Sequence, residues 1–570
     1  MTHLSSTVRN ADARRALDRA WVIAAVYALF AGAGIVLLAE IVPLTVHPQR
    51  LLTPAGIVSF VAFGALSLSA VLVPSLLAPE SSRALARALA GAVERRGALC
   101  LALVLAAFVA GTLVVAYVVL EAFPNSGDEY AYLFQAWHFA RGELWVAAPP
   151  LGETFAPYRT WVLDGKWVSQ YPPGWPGALA LAVLVGLPVW AANALFGGAL
   201  TASLAARAWP YGDRTVALAL ALVFALTPFT VYNAASYHSH VFTALCIALL
   251  CVACVRYGEG RGQGSGWLAL VAAALCLGVI GATRYMTLLL LIPAMLVWVF
   301  VENRRTWLRI AAVMALVAAP FLGLLMLYQE AVTGSPFRST YSVINRPDIF
   351  LTAAWKDVVH GSALSLYRVA ELAVWVSPIL LALYVVAFAV KARNGAIRFY
   401  DLIFPTFLVG YVFFPTLGGN RYGPRYYYEG FPLMLATIGT AAPLATAWGW
   451  RVWERPVVLH AVLVCVATLV LTHLFLWPTY RAQIAERQDL YRLAAEMRLD
   501  KAIVIVKTTP GLGLIAEDLA RNGLSVDGPV LYARPDAVPE DLRKAFPDRS
   551  VWVYERGSPD EPGRLTPLTP

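Results

Sequence analysis

The chain has 570 residues, 59% of them hydrophobic and only 14% charged, with a mean hydropathy of +0.64. A soluble globular chain carries about 25% charged residues, so this composition excludes a soluble enzyme and calls for a polytopic membrane protein. The net charge of +9 does not call for nucleic acid, because membrane proteins concentrate Arg and Lys in cytoplasmic loops.

The N-terminus, Met1 to Arg19, is polar and basic. Trp21 then opens an apolar run too long for a signal-peptide core, which reads as a retained first span. Runs long enough to span lie near 21–42, 55–77, 98–120, 189–208, 215–232, 238–255, 267–282, 285–301, 308–328, 372–390, 401–416, 431–448 and 457–477. That makes thirteen expected spans in an all-α membrane protein. The run 174–187, between Pro172-Pro173 and Pro188, is shorter. If it crossed, every later loop would invert and Arg304, Arg305, Arg309, Lys391, Arg393 and Arg398 would face out. With it lying at the surface, 20 Lys and Arg fall in inside segments and 11 in outside segments before the tail. The positive-inside rule selects this second arrangement, N-terminus in and C-terminus out.

Outer segments of 121–188, 329–371 and 417–430 follow, with a tail at 478–570. Residues 1–97 then read as a cytoplasmic N-terminus plus two additional spans, 98–477 as a transmembrane core, and 478–570 as an extracytoplasmic domain. In the tail, 483–498 reads as an amphipathic helix, 502–506 and 550–554 as strands, and 514–521 as a helix, giving a small α/β domain. Gly511-Leu-Gly513 lacks the third glycine of a dinucleotide fingerprint and reads as a turn. The six cysteines lie in apolar runs and read as helix-packing residues, Cys251 and Cys254 included.

The polar residues with chemical potential cluster in the outer segments. Asn125-Ser-Gly-Asp-Glu-Tyr-Ala-Tyr132 places two carboxylates at the mouth of a span, where charge is costly unless used. Ser126 and Glu129 fit a capping box, a structural role for Glu129. Asp128, Tyr132 and Gln135 share one helical face, and Asp128 reads either as a charge favoured at a helix N-terminus or as a general base for a hydroxyl acceptor. Lys166, ahead of Tyr171-Pro-Pro, suits either a lipid phosphate or snorkelling to headgroups. His238 and His240 at i, i+2 do not share a helix face, which weakens a metal reading. Arg284 sits between two tightly joined spans, where a lone Arg pairs with an anion. Gly418-Gly-Asn-Arg421-Tyr-Gly-Pro-Arg425-Tyr-Tyr-Tyr-Glu429 offers Arg for phosphate and Tyr for an interface, or an aromatic anchor with an internal Arg–Glu pair. Together these residues predict a phosphate-bearing lipid gripped at the outer leaflet beside a carboxylate. No nucleotide fingerprint is visible.

The segment Gly127-Asp-Glu-Tyr-Ala-Tyr…Gly142-Glu-Leu…Gly165-Lys-Trp…Tyr171-Pro-Pro-Gly resembles the first outer loop of the GT-C superfamily, integral-membrane glycosyltransferases that use polyprenyl-phosphate sugars. It is most similar to protein O-mannosyltransferases and lipid A aminoarabinose transferases. Gly-Pro-Arg425-Tyr426 is similar to a later outer-loop signature, and the resemblance covers roughly residues 98–450. The resemblance implies catalysis at Asp128 with Glu129 beside it, donor phosphate at Lys166, Arg284, Arg421, Arg425 and Tyr426, and substrate contacts at Tyr132, Gln135, Tyr171, His238, His240 and Glu429. It implies transfer of a sugar with inversion to a lipid, glycan or protein acceptor, in a bacterial inner membrane, without nucleic acid. No cofactor or metal ligand is called for, and a divalent cation stays open. The chain departs from the aminoarabinose transferases in carrying Tyr171 where they have Lys before Pro-Pro. It also offers His238 and His240 where many relatives place an acidic residue. The rival expectations are an O-antigen-ligase-like transferase using a diphosphate lipid, and a lipid or solute transporter, against which stands the lack of an internal repeat.

Overall fold

The computed structural model describes residues 2–44, 53–207, 209–260, 264–341, 355–414, 421–447, 456–508, 516–557 and 561–568. Residues 342–354, 417–420 and the Gly511-Leu-Gly513 turn lie outside that set. The chain opens with α1 (Thr2–Leu44), α2 (Pro54–Leu77) and α3 (Pro79–Val114), the last ending in a π-turn over Val115–Val119. The segment 78–97, expected as a loop, is the first half of α3, kinked at Arg96 where φ is −133°.

The first outer segment holds α4 (Gly127–Ala140), the strands β1 (Val146–Ala147), β2 (Thr160–Leu163) and β3 (Lys166–Ser169), and α5 (Gly174–Leu184). The strands form an antiparallel sheet in the order β1-β3-β2. Asp164-Gly165 closes the β2–β3 hairpin with φ of 47° and 75°. That backbone suits the right-handed twist of the strands and is a known preference of Asp-Gly. The helix α5 buries Trp175, Leu179 and Ala182 against α4. It leaves Leu181, Leu184 and Val185 exposed, an apolar face suited to lipid.

The bundle continues with α6 (Val189–Leu204), α7 (Arg214–Leu226), α8 (Pro228–Ala234), α9 (His240–Glu259), α10 (Gly264–Thr283), α11 (Tyr285–Leu296), α12 (Trp307–Thr333), α13 (Trp355–Val376), α14 (Pro378–Arg393), α15 (Ile403–Gly410), α16 (Phe431–Ala447) and α17 (Pro456–Glu496). The described parts of the thirteen expected apolar stretches fall largely on helix, while positions 208, 415, 416 and 448 lie outside the described residues. Among the described residues eight helices are long and apolar enough to cross a membrane, or up to eleven if each bent pair crosses once. The bends follow from proline. The residue before a proline is driven out of the helical region. Thr227 (ψ 122°) before Pro228 and Ser377 (ψ 131°) before Pro378 give bends of 61° and 109°. Gly186 (φ 72°) and Pro188 turn α5 from α6 by 113°.

The helix α17 runs 41 residues, about 60 Å at 1.5 Å per residue, twice the thickness of a bilayer core. The expected last span and the expected amphipathic helix of the tail are therefore one rod. The tail follows as β4 (Ala502–Thr508), α18 (Ala516–Leu519), β5 (Val530–Ala533), α19 (Pro539–Ala545), β6 (Ser550–Arg556) and β7 (Arg564–Pro567). Its sheet has the order β5-β4-β6-β7, parallel except for β6–β7.

The tail is fastened to the first outer segment. Phe155 is fully buried in the core of the tail sheet with Ile503, Ile505, Leu531 and Val553. Tyr130 Oη donates to the Asn522 carbonyl at 2.7 Å, and Arg521 donates to the Pro124 carbonyl at 2.6 Å. Asp518 meets Arg487 at 2.8 Å and lies close behind Gly127, where a Cβ would come within 2.8 Å of its carboxylate. Only glycine allows that approach. Phe155→Ala is expected to cost about 3–5 kcal/mol. It should lower the unfolding midpoint and speed protease cleavage at the tail.

Ser126 caps α4 by accepting from the Glu129 amide at 3.3 Å and donating to the Glu129 carboxyl at 2.9 Å. The Tyr237 amide also donates to Glu129, at 3.1 Å. Burial pushes this carboxyl up to about 7 from 4.5, against those hydrogen bonds. A raised carboxyl means that the folded state binds the proton more tightly. The stabilisation is full below 4.5 and lost as pH rises towards 7. Glu129→Gln keeps an acceptor for the Tyr237 amide, turns the Ser126 contact into one donated by the amide nitrogen, and removes the titration. The melting temperature should therefore fall between pH 5 and 7 in the wild type by more than in the variant, for a loss of about 3 kcal/mol.

Candidate active site

A cavity of about 290 Å³ opens between the first outer segment, the α10–α11 junction and the segment at 421–430. Asp128, in the first turn of α4, forms its focus. Its Oδ2 accepts from Arg425 at 2.7 Å, and its Oδ1 accepts from the Tyr171 hydroxyl at 2.5 Å. Arg159 Nε stands 3.4 Å from Oδ1. Burial alone would raise this carboxyl. Arg425, then Arg159, outweigh it and hold it below the usual carboxylate range. Tyr171 is the mirror case: burial, then the Asp128 charge, push the phenol well up, so it stays a donor.

Each partner is placed by its own scaffold. Gln135 Nε2 donates to the Tyr171 carbonyl at 3.1 Å and to the Tyr328 hydroxyl at 2.9 Å. Ser169 Oγ accepts from the Tyr171 amide at 3.3 Å, and the Tyr132 ring lies 4.2 Å from that of Tyr171. Arg159 holds a φ of 71°, a backbone rarely adopted by non-glycine residues, and its carbonyl accepts from the Gln170 amide at 3.1 Å. Arg425 Nη1 also lies within hydrogen-bond distance of both ring nitrogens of His238, and since a guanidinium can only donate, the imidazole accepts and is neutral. The turn ahead of Arg425 needs Gly423, at φ 81°, where a Cβ would meet Phe229 at 2.9 Å.

The opposite wall is a second polar group. Arg284, at the start of α11, pairs with Glu429 at 2.6 Å and donates to Ser239 at 3.3 Å. His240 Nδ1 lies 3.0 Å from Glu429, and Thr287 donates to the other Glu429 oxygen. Glu429 is fully buried and sits behind the cavity surface. Ser239 and Tyr132 meet at 3.2 Å, joining the two walls. Tyr426 stacks on Tyr411 with centroids 4.7 Å apart.

Of the residues singled out from sequence, Asp128, Tyr132, Tyr171, His238, His240, Arg284, Arg425 and Tyr426 line this cavity. Gln135 and Glu429 support it from behind. Glu129 is not on its wall: the carboxyl is held by the Ser126 cap and the Tyr237 amide, the structural role its spacing from Ser126 allowed, and it stands behind the cavity, 3.9 Å from His238. Lys166 is also not on its wall. Its ammonium donates to the Ala331 carbonyl at 2.7 Å and lies over Trp145, tying β3 to α12. Arg421 turns towards the tail, 3.9 Å from Asp518. The sequence reading missed Arg159, Gln170, Tyr285, Tyr341 and Tyr411, all on the wall. Arg159 carried a signal, being a cation in the same outer segment as the acidic pair. The tyrosines did not stand out among 25. Among the described residues no three His, Cys, Asp or Glu side chains come together as a metal site.

No protein-family profile matches the chain, and no curated protein matches it. Among solved structures it is similar to ArnT from Cupriavidus metallidurans in the apo state, at 14% identity and a TM-score of 0.50, over 79% of this chain and 92% of that one. The same protein bound to undecaprenyl phosphate gives 14% identity and a TM-score of 0.47, over 79% and 92%. An oligosaccharyltransferase from Archaeoglobus fulgidus, in complex with zinc and sulfate, gives 12% and 0.46, over 74% of this chain and 62% of that one. ArnT and the oligosaccharyltransferase are GT-C glycosyltransferases, and the likeness to apo ArnT shows that this chain has the GT-C fold.

Proposed function

We propose that the protein is a membrane glycosyltransferase that moves one sugar from a polyprenyl-phosphate carrier to an acceptor outside the cytoplasm. The observation that carries this reading is the Asp128 carboxylate held between Arg425 and Arg159 on the wall of an aromatic cavity. A base and a phosphate cradle occupy one place. The basic residues of the intervening loops support a reading in which this face, the first outer segment and the tail are on the extracytoplasmic side of a cell membrane, with the N-terminus inside.

With Arg425, Arg159 and Tyr171 around its carboxylate, Asp128 is a weak base, because two cations and a phenol stabilise its charge. A donor phosphate is the natural competitor for both arginines. When it takes them, Asp128 is released, its basicity rises, and it can accept the proton of an acceptor hydroxyl. The acceptor oxygen then attacks the anomeric carbon from the face opposite the phosphate. The carbon–oxygen bond to phosphate breaks, the electron pair leaves with the polyprenyl phosphate, and the configuration inverts. Arg159, Arg284 and Arg425 offset the charge that builds on the leaving group. Lys166 and Arg421, turned to other partners, take no part.

Transfer of labelled sugar from polyprenyl-phosphate donors by protein in nanodiscs tests this. Asp128→Asn should lower kcat by about 10²–10⁴-fold while the protein still binds donor. Unchanged turnover would remove Asp128 from the chemistry. The pH profile carries a second test. The acid limb of kcat, set by the donor-bound enzyme, should lie at higher pH than that of kcat/KM, set by the free enzyme. Arg159→Gln should move the kcat/KM limb upward, towards the ordinary carboxylate range. Coincident limbs in the wild type would show that the donor does not displace the arginines.

A further inference from the structure

The second cation beside Asp128 sits on a loop whose backbone is held by the tail. Arg159 has a φ of 71°, a left-handed backbone that is costly for a residue with a side chain and persists where its neighbours impose it. Three consecutive carbonyls ahead of it accept from the tail. Thr154 accepts from the Arg534 amide, Phe155 from Asn522 Nδ2 and Ala156 from Arg534 Nε, each at 2.8 Å. The Tyr158 amide donates to the Glu517 carbonyl at 3.1 Å. Phe155 itself is anchored in the core of the tail sheet.

Arg534, directly after β5, reaches both flanks of Arg159. Its Nε holds the Ala156 carbonyl, and its Nη2 stands 3.5 Å from the Thr160 carbonyl. Its Nη1 lies 3.3 Å from Glu153. A rigid fork of donors suits such a span, which a single ammonium does not reproduce. The stretch from Pro157 to Arg159 is thereby clamped at both ends. Between the clamps, the Tyr158 ring packs so close to Gly127 that a Cβ there would come within 2.6 Å of it. Arg159 lies over the same ring at 4.4 Å and stands 3.4 Å from Asp128. Arg534 is not on the cavity wall. Its path to Asp128 runs through the loop and Arg159.

We infer that Arg534 is a positioning residue for this site: from the tail it fixes Arg159 against Asp128 and so sets how basic that carboxylate is. The inference rests on the reading of Asp128 as the base, and it gives the tail a part in the chemistry besides its part in the fold. The physical link is distance. A cation within about 4–6 Å lowers a carboxylate by about 1–3 pH units, and the effect weakens as the pair separates. A guanidinium released from its place would surrender part of that hold.

Infrared titration of the full-length protein in nanodiscs, labelled with ¹³C at the aspartate carboxyls and read as the difference from Asp128→Asn, follows this carboxylate with no donor present. Arg159→Gln should move its protonation upward by about one pH unit. Arg534→Met, which keeps the length of the side chain and removes the fork, should move it the same way by about half as much or more. In the Arg159→Gln background Arg534→Met should add nothing, because it acts through Arg159, whereas a direct effect of the lost cation would add. Arg534→Lys keeps the charge without the span and should also move it, which covers the case in which Arg534→Met does not fold. The acid limb of kcat/KM should follow the same order. Loss of stability or turnover at position 534 with an unmoved Asp128, or a shift that adds to that of Arg159→Gln, overturns the inference. The expected order in the infrared titration, without sugar transfer from any polyprenyl-phosphate donor, would leave the control of Asp128 standing and remove the function proposed above.

Discussion

The arrangement depends on one ion pair, Asp128 with Arg425, between residues 297 positions apart in sequence. A carboxylate at the mouth of a membrane span is costly in isolation, and so is a guanidinium packed among tyrosines. Each makes the other tolerable. Their meeting fixes the first outer segment against the segment that leads into α16. Tyr171 and Arg159 stand against the other carboxylate oxygen, so both oxygens of Asp128 are engaged. Breaking such a pair by deleting one member leaves an uncompensated charge, at about 3–5 kcal/mol when fully buried and less at the one-fifth exposure of Asp128. Variants at Arg425 therefore test stability and chemistry together, whereas Arg159, further from the carboxylate and more exposed, separates them better.

The tail gives this pair a rigid backing. The helix α17 leaves the bundle without a break and carries Arg487 and Asp489 beyond the last span. Arg487 fixes Asp518, which sits against Gly127, one residue before Asp128. Tyr480 on the same rod accepts from the Tyr422 amide at 2.8 Å, three residues before Arg425. One helix thus braces both the carboxylate turn and the arginine turn. A side chain at Gly127 would push Asp518 and Tyr158 away, and the carboxylate turn with them. The tail is a brace for the site, in addition to whatever it offers an acceptor.

Much of this was legible in the sequence because membrane burial leaves strong periodic and compositional signals. The apolar stretches fall largely on helix, though eight to eleven crossings rather than thirteen are long and apolar enough among the described residues, and the acidic pair sits at a helix start with Ser126 as its cap. Two strands of the tail are legible from the short β-branched runs around Val504 and Trp552. The first-segment sheet was not read, although Asp164-Gly165 is a hairpin signal, because β1 and β2 are short and flanked by prolines and aromatics. Continuity of α17 was hidden by Pro478, which a helix between spans and solvent can absorb. Among the cations, types were legible and destinations were not. Lys166, Arg284, Arg421 and Arg425 look alike in sequence, yet one ties a strand to α12, one faces the tail and two face the cavity. That sorting depends on which carbonyls and carboxylates lie within reach, a property of the folded chain alone.

Charge pairing links the two walls of the cavity. Asp128 and Glu429 let Arg159, Arg284 and Arg425 sit close together, because each guanidinium has a carboxylate within reach. Were either carboxylate lost, the remaining cations would repel one another in a largely buried place. On the mechanism proposed above, the carboxylate that holds two of these cations is also the group from which a donor phosphate must take them, which would couple the basicity of Asp128 to donor binding. Structural neutralisation and control of the base would then be one property of the same three side chains.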